Sequence, residues 1–262
     1  MIKRAVIAGL PSAGIDVLEI GDVPLPVARY ETRATGAVGG IHVRLSPSDW
    51  RQIELSLIDG RGLSLDKNQQ RKIETNFFRE DFRRVPVTEV GAISVAGDAV
   101  PRRYSDAFAA LCDESAISSA HGRAVIDYGF GSTSTILPGL LGRIGAETIT
   151  VNAATNTAFG RRTAAQYDQD LRHLSAICRS IGAQMGAMMD NDGTRIDLID
   201  DRGVVLSPMT ALAVISVLAW RAHPGAVVGV PASAPLVFDA LANRNGGAVL
   251  RIAPNARALM QA

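Results

Sequence analysis

Two aspartates beside a glycine are the residues of this sequence best suited to hold a cation. Asp190 and Asp192 lie in the segment MMDNDGTRIDLID, residues 188–200, and Arg195 follows closely. Side chains two residues apart in an extended segment point the same way, and Mg²⁺ binds carboxylate oxygens. The pair Asp192-Gly193 equally suits the tight turn of a hairpin, because glycine adopts a positive φ without strain. The segment alone therefore allows both a metal loop and a plain turn.

A second segment contains a glycine-rich turn. A predicted strand, Arg123–Tyr128, runs into the sequence GFGSTS, residues 129–134, which resembles a G-x-G-x-x-G turn with serine at the third glycine. A dinucleotide site would need an acidic residue at the end of the next predicted strand, and that position is Asn152. We therefore predict a structural strand-to-helix turn here.

The third segment contains a serine that follows a predicted strand. Ser46 lies in GGIHVRLSPSDW, Gly39–Trp50. No G-x-S-x-G pattern surrounds it, and no neighbouring base can be assigned to it. Taken alone, Ser46 is predicted to be a turn residue, and hydrolase chemistry has little support.

Composition excludes several classes of function. The chain has 262 residues, 47% hydrophobic and 20% charged, which suits one large domain or two to three small ones. A net charge of +1 and an aromatic content of 5% give no basis for binding nucleic acid or an acidic membrane. The longest apolar stretch, Met209–Trp220, is too short to span a bilayer. The two cysteines and four histidines show no zinc spacing. We expect a cytoplasmic protein that binds neither nucleic acid nor membrane.

The elements that must position these residues alternate between helices and short strands, which is typical of an α/β protein. Three consecutive units are predicted, with breaks near residues 84–103 and 201–208, and residues 83–103 are predicted to be a partly extended crossing between domains. The chain opens on a predicted helix, Ile2–Ser12, with no strand before it, so we expect the natural first domain to begin upstream. The third unit stops after two predicted strands, and we expect the first and third units to be incomplete.

Taken together, four segments in the same order resemble the α-D-phosphohexomutases, the phosphomannomutase and phosphoglucomutase family. MIKRAVIAGLPSAGIDVLEIGDVPLPV is similar to the start of that family's first domain, and GGIHVRLSPSDW to its phosphoserine loop G-G-I-M-I-T-A-S-H-N-P. GRAVIDYGFGSTSTILPGLLGRIGAE resembles the opening of the second domain, and MMDNDGTRIDLIDDRG the metal loop D-G-D-G-D-R. The resemblance implies consecutive α/β/α domains with mixed sheets: domain I at 1–94, domain II at 95–203 and domain III at 204–262.

The resemblance also implies roles for individual residues. Ser46 falls on the phosphorylated serine, Asp190 and Asp192 on ligands of Mg²⁺, and Arg195 on the arginine that contacts substrate phosphate. The implied activity is an intramolecular phosphotransfer on a hexose phosphate, either mannose or glucose phosphate. We predict that Asp190 and Asp192 face the same cleft as Ser46, within about 15 Å of its hydroxyl, which one ion and one phosphate could bridge.

Several positions depart from the family pattern. Thr194 replaces the third aspartate of the metal loop, Pro47 and Ser48 replace a histidine and an asparagine, and Ser56 replaces a lysine. Fewer anionic ligands should weaken Mg²⁺ binding, and missing cationic groups should slow phosphoryl transfer. We therefore expect an eroded mutase region that is weakly active or inactive as an isolated chain.

Alternative functions remain open at this point. The chain could be an active phosphomannomutase fragment that uses Ser46 as phosphoserine with Mg²⁺. It could also be a binding or assembly module fused to a sugar nucleotidyltransferase. The segments MIKRA and GGIHV resemble the mutase-like region of mannose-1-phosphate guanylyltransferase/phosphomannomutase fusions. A Mg²⁺-dependent phosphatase is disfavoured, since its D-x-D would follow the first strand of its core domain, whereas Asp190 comes late.

Overall fold

The computed structural model describes residues 2–46, 49, 51–120, 122–155 and 163–261, and helices alternate with strands along them. The strands in this part of the chain are β1 (Val17–Glu19), β2 (Gly39–Leu45), β3 (Ile53–Asp59), β4 (Ile93–Val95), β5 (Arg123–Asp127), β6 (Glu147–Val151), β7 (Met185–Met189), β8 (Ile196–Ile199), β9 (Val227–Pro231) and β10 (Ala248–Ile252). The α-helices there are α1 (Ile2–Gly9), α2 (Leu25–Ala34), α3 (Lys67–Phe78), α4 (Ala99–Ala109), α5 (Glu114–Ser119), α6 (Leu137–Arg143), α7 (Ala164–Ile181), α8 (Pro208–Ala222), α9 (Val237–Arg244) and α10 (Ala256–Gln261). This confirms the predicted α/β class.

The largest sheet lies in the middle of the chain and has the strand order β6-β5-β7-β8. β5 runs parallel to β6 and β7, and β8 runs antiparallel to β7, so the sheet is mixed, as predicted. The remaining strands pair two by two, β1 with β4 and β9 with β10 in parallel, and β2 with β3 antiparallel. No sheet formed by the described strands runs through both predicted breaks, near residues 84–103 and 201–208. The assignment of domains to 1–94, 95–203 and 204–262 stays a prediction.

Three helices begin at side chains that satisfy the free backbone N–H groups of their first turn. Asp66 caps α3 and Thr163 caps α7, each in a reciprocal capping box with a glutamine three residues later. Ser207 accepts a hydrogen bond from the backbone N–H of Thr210 at the start of α8. Apolar spacing predicts helices at Asp66–Phe78, Thr163–Ile181 and Pro208–Arg221. The caps explain why the three predicted starts agree with the structure to within one residue.

The predicted crossing at residues 83–103 is wrong in its second half. β4 lies within it and pairs with β1, and α4 begins at Ala99, five residues before the predicted helix start at Tyr104. The lack of a helical period and the glycines and prolines of this segment indicated a crossing. Pro101 is nevertheless tolerated in the first turn of α4, because its missing N–H would have no helical partner there. Val100 is completely buried and holds this first turn against the core.

Two further element predictions are corrected. The sequence predicts a helix at Thr133–Ile144, whereas the structure has a short 3-10 turn at Ser132–Thr135 followed by α6, whose first turn contains Pro138, a position where a proline is tolerated. α5 was missed altogether. Its start is marked by Asp113, whose carboxylate accepts a hydrogen bond from the backbone N–H of Ala116.

The core around α2 is shared between the first and second predicted units. Val23, Leu25, Val27, Ala28 and Ile58 of the first unit form one buried cluster with Val100 and Ile136. On the same face, the almost fully buried Glu31 of α2 forms an ion pair with Arg103 of α4, at 3.1 Å. α4 therefore packs on α2.

The third predicted unit also contacts the first. The guanidinium of Arg257 in α10 lies 3.2 Å from the carboxylate of Asp59 and donates a hydrogen bond to the backbone oxygen of Ser64. Of the helices described here, none combines the length and the apolar character needed to cross a bilayer.

Candidate functional site

Ser46 lies at the end of the β2–β3 hairpin. Leu45 pairs with Ile53, and the backbone N–H of Ser46 continues the ladder by donating to the carbonyl of Gln52 at 2.9 Å. Its side chain is half-buried. Pro47 and Ser48, two of the predicted departures from the family pattern, lie outside the described residues.

Asp190 and Asp192 lie in the turn that joins β7 to β8, so the predicted hairpin is confirmed. Gly193 has a φ of 72°, and the backbone N–H of Asp190 donates to the carbonyl of Arg195 at 3.1 Å. The carbonyl of Asp192 accepts a hydrogen bond from the N–H of Leu25 at 3.1 Å, at the start of α2. The turn is thus docked on the first unit and not free in solvent.

The glycine-rich turn at residues 129–134 packs against the backbone of this hairpin. A Cβ at Gly131 would lie only 2.4 Å from the carbonyl oxygen of Asn191, so a larger residue could not approach the hairpin backbone this closely. The N–H of Ser132 donates to the same carbonyl at 2.9 Å. These are the contacts of a structural turn, which is the role predicted for this segment.

The two carboxylates of the turn have different partners. One oxygen of Asp190 accepts from the backbone N–H groups of Thr194 and Arg195, at 2.8 and 3.0 Å, and the other contacts the Thr194 hydroxyl at 2.8 Å. Asp192 contacts the same hydroxyl at 2.9 Å with one oxygen and forms an ion pair with Arg44 through the other. Asp190 is therefore held by its own turn, and Asp192 is held across to β2.

This difference separates the pKa values of the two groups. Burial raises the pKa of the Asp190 carboxyl above its ordinary value, and the adjacent Asp192 carboxylate raises it further. Burial acts in the same direction on Asp192, but the hydrogen bond and positive charge of Arg44 outweigh it and hold the pKa of Asp192 below its ordinary value. Asp192 is therefore the more acidic of the two carboxyl groups.

Arg44 is the residue of this site that sequence reasoning missed. One end of its guanidinium donates to Asp192 and, at 3.2 Å, to the Thr194 hydroxyl, and the other donates to Glu54 at 2.9 Å. Burial acts to lower the pKa of Arg44, but the hydrogen bonds that it donates to the carboxylates of Glu54 and Asp192 raise that pKa above its ordinary value. Alternation along β2 could have placed Arg44 on the same side as Ser46, two residues later.

Arg195 is turned toward other partners. Its guanidinium lies 3.1 Å from the carboxylate of Asp197 and 5.2 Å from the ring centre of Tyr167, whose hydroxyl donates to the same carboxylate. Burial raises the pKa of the Tyr167 hydroxyl, and the Asp197 carboxylate raises it further. The role of Arg195 in binding substrate phosphate stays a prediction.

The position of the expected lysine carries a hydroxyl. Ser56 lies opposite His42 in the β2–β3 hairpin, and its hydroxyl contacts Glu54 at 3.4 Å. The ring of His42 contacts the backbone oxygen of Val23 at 3.0 Å. Cross-strand pairing and alternation place Ser56 and His42 on the same face of the hairpin as Arg44.

The turn at residues 190–195 offers few side chains that could bind a metal ion. Over residues 2–46, 49, 51–120, 122–155 and 163–261, no three His, Cys, Asp or Glu side chains lie close enough together to hold a metal ion. Asp190 and Asp192 are the two carboxylates that the turn offers, with Thr194 in the third position.

Comparison with known proteins matches this arrangement to one family. Residues 1–84 match the family described as Phosphoglucomutase/phosphomannomutase, alpha/beta/alpha domain I, and residues 102–203 match alpha/beta/alpha domain II of the same family. The two matches together cover more than half of the chain.

Curated relatives and solved structures agree with this match. A phosphoglucomutase/phosphomannomutase of Thermococcus kodakarensis is 28% identical over 251 residues, which are 96% of this chain and 55% of that protein. A phosphopentomutase of the same organism is 26% identical over 253 residues, 96% of this chain and 54% of that protein. The chain thus spans about half the length of the curated relatives it matches.

The similarity in fold covers nearly the whole chain. The crystal structure of a phosphoglucomutase/phosphomannomutase family protein from Burkholderia thailandensis superposes with a TM-score of 0.81 at 18% identity, over 99% of this chain and 56% of that one. At this identity the match describes the fold alone.

Proposed function

Because the chain belongs to the phosphoglucomutase/phosphomannomutase family, the α-D-phosphohexomutases, we propose that it binds a hexose phosphate between the strand that leads to Ser46 and the turn at residues 190–195. The observation that carries this proposal is the contact between Arg44 of β2 and Asp192 of the turn. Mannose phosphate and glucose phosphate are the proposed ligands.

The position of Ser46 supports a shared site. Arg44 and Ser46 are two residues apart, and an extended strand rises about 3.3 Å per residue, so their Cα atoms are roughly 7 Å apart. Because alternate residues project to one side, the hydroxyl of Ser46 is expected on the side that faces Asp192. A substrate phosphate could then lie between the two elements. The separation of about 15 Å or less between the Ser46 hydroxyl and the two carboxylates stays a prediction.

The chemistry proposed for this site is weak. Phosphoryl transfer depends mostly on positioning and on stabilising the charge of the transferred group. Ser56 offers a hydroxyl where a lysine would supply positive charge, and the nearby Arg44 is already engaged by Glu54 and Asp192. A serine nucleophile also needs a group that takes its proton. We therefore propose that the isolated chain turns over hexose phosphates slowly or not at all.

The Mg²⁺ that the family implies does not fit the residues of this turn. Mg²⁺ requires several oxygen ligands in near-octahedral geometry. Both oxygens of Asp190 already have partners in the turn, and Asp192 carries the guanidinium of Arg44. We therefore assign sugar-phosphate binding to this site without a metal ion.

Sugar-phosphate binding and phosphoryl transfer can be tested on the same preparation. Titration calorimetry with mannose-6-phosphate and glucose-6-phosphate measures binding, and intact mass after incubation with glucose-1,6-bisphosphate detects a phosphoryl group on the protein. Ser46→Ala removes the candidate acceptor, and Ser180→Ala, an exposed serine at the end of α7, is the matched control.

We expect saturable binding of at least one sugar phosphate and negligible conversion of mannose-6-phosphate to mannose-1-phosphate. Robust turnover that Ser46→Ala abolishes and Ser180→Ala preserves would contradict the weak chemistry and make Ser46 a working nucleophile. Absence of binding for all the sugar phosphates tested would refute the proposed ligand class.

A further inference from the structure

The carboxylates of the 190–195 turn have protein partners on every oxygen. Asp190 is bonded by two backbone N–H groups and contacts the Thr194 hydroxyl. Asp192 contacts that hydroxyl with one oxygen and Arg44 with the other. A hydroxyl has a single proton, so Thr194 donates to only one of the two carboxylates at a time. The guanidinium of Arg44 is the positive group that contacts Asp192 directly.

The side chain of Arg44 is largely shielded from solvent and is held by contacts at both ends of its guanidinium. Its side chain is only 15% exposed, and that of Asp192 is 9% exposed. Glu54, its cross-strand partner in the hairpin, anchors the second nitrogen of the guanidinium. The planar fork of an arginine can bridge two carboxylates in this way, which a single metal ion of fixed geometry could do only by adding further ligands.

We propose that Arg44 serves as the internal cation of this turn, taking the place of a divalent metal ion beside Asp192. The turn is then neutralised by its own chain, and the wild-type protein has no divalent cation site there. This inference rests on the proposed function only because both concern the same turn, where the family implies a metal ion.

The backbone of the turn also limits adjustment toward a metal. The Asn191 carbonyl is bonded by the N–H of Ser132, and the Asp192 carbonyl by that of Leu25, so the turn is held from two sides. A divalent ion would have to displace the Arg44 guanidinium from Asp192 while both groups remain nearly buried. Two like charges this close together repel strongly in a partly buried site.

Binding of Mn²⁺, followed by its electron paramagnetic resonance signal without any sugar phosphate, tests the inference. Arg44→Met keeps the apolar stem and removes the charge, and Arg44→Gln is a second neutral variant that keeps hydrogen-bond donors. Arg123→Met is the matched control, because Arg123 also forms an ion pair across two strands, with Glu147 at 2.6 Å, at the opposite end of the sheet.

We expect the wild type and Arg123→Met to show no saturable Mn²⁺ binding. A neutral side chain at position 44 should create a saturable Mn²⁺ site, because the positive charge beside Asp192 is gone. Its affinity should exceed that of any residual binding to the wild type by at least about tenfold. Adding Asp192→Asn should remove that site. Saturable binding to the wild type that Asp192→Asn abolishes would overturn the inference, as would folded Arg44→Met and Arg44→Gln proteins without any gain. Since no sugar is present, failure here is distinct from failure to bind a hexose phosphate.

Discussion

Two turns flank β8, and their aspartates are held in different ways. After β8, the carboxylate of Asp200 accepts hydrogen bonds from the backbone N–H groups of Arg202 and Val204, at 3.0 and 2.7 Å. Before β8, the carboxylate of Asp192 is held by side chains, one of them Arg44 from a strand 148 residues earlier in the chain. The carboxylate of Asp200 therefore bonds within its own turn, whereas the carboxylate of Asp192 connects its turn to β2.

The backbone hydrogen bonds of the Asp200 turn occur a second time at Asp59, which also contacts Arg257 of α10 at 3.2 Å. Asp59, the last residue of β3, accepts hydrogen bonds from the N–H groups of Arg61 and Leu63 at 3.0 and 3.1 Å, in the same spacing as Asp200. Both turns follow the pattern Ile-Asp-x-Arg-Gly, and an antiparallel bridge closes each one. A local pattern thus reproduces a local structure, while the turn with the candidate site depends on a distant residue.

Removing the carboxylates of Asp192 and Asp200 in separate variants is expected to produce the largest difference between the two turns. We expect Asp192→Ala to lower the free energy of unfolding by about 2–4 kcal/mol, because it leaves a nearly buried guanidinium short of one partner. Asp200→Ala should cost only about 1 kcal/mol, since water can replace its bonds to exposed backbone groups. Urea unfolding followed by circular dichroism measures both. Equal losses for the two variants would contradict the distinction.

A smaller effect is expected from the contact beneath the site. Gly131→Ala places a methyl group 2.4 Å from the Asn191 carbonyl, so the hairpin must move. We expect a loss of about 1–3 kcal/mol, as for other overpacked sites. Gly139→Ala is the control, because a Cβ there meets no atom within 4 Å. If thermal unfolding showed the same melting temperature for both variants, the close approach of the two turns would be in doubt.

The hydroxyl of Tyr167 provides a weaker test. Tyr167→Phe removes its hydrogen bond to Asp197 but keeps the ring under Arg195. We expect a loss of about 1 kcal/mol in the free energy of unfolding and unchanged affinity for sugar phosphate. A large fall in sugar-phosphate affinity, measured by calorimetry, would instead place the Tyr167 hydroxyl in the binding site.

The smallest expected effect appears only as a change with pH. Hydrogen bonds from Leu63 and Arg61 and the guanidinium of Arg257 outweigh the effect of burial and hold the pKa of Asp59 below its ordinary value. A lowered pKa in the folded state stabilises the protein above the pKa of the unfolded chain, and that contribution is lost as pH falls through the folded value.

Asp59→Asn should therefore be less stable than the wild type at neutral pH and converge with it in acid. Urea midpoints measured from neutral to acidic pH check this. A gap between the two proteins that stays constant down to the lowest pH would show that the Asp59 charge contributes nothing to stability.

Local signals allowed most of the fold to be predicted. Apolar spacing marked the starts of α3, α7 and α8 to within one residue, and Asp192-Gly193 marked the turn between β7 and β8. Where a signal was ambiguous, the prediction failed. The glycines and prolines of residues 83–103 indicated a crossing, although burial of Val100 extends α4 into this segment, and the order of the chain gave no sign that β4 pairs with β1.

The candidate site was only partly predictable. The resemblance led to Ser46, Asp190, Asp192 and Arg195, and the two aspartates do share one turn. Arg44 was passed over because its partner is distant in sequence, and an arginine on a strand is ordinarily a surface residue. Only the packing of β2 against the turn reveals it.

The pairing of Arg44 with Asp192 is tested most directly by a double-mutant cycle on the free energy of unfolding. Arg44→Met, Asp192→Asn and the double variant are compared with the wild type under identical conditions. The coupling energy should be about 1–3 kcal/mol, as for residues in direct contact within a network. Losses that add to within about 0.5 kcal/mol would contradict the pairing and remove Arg44 from the site.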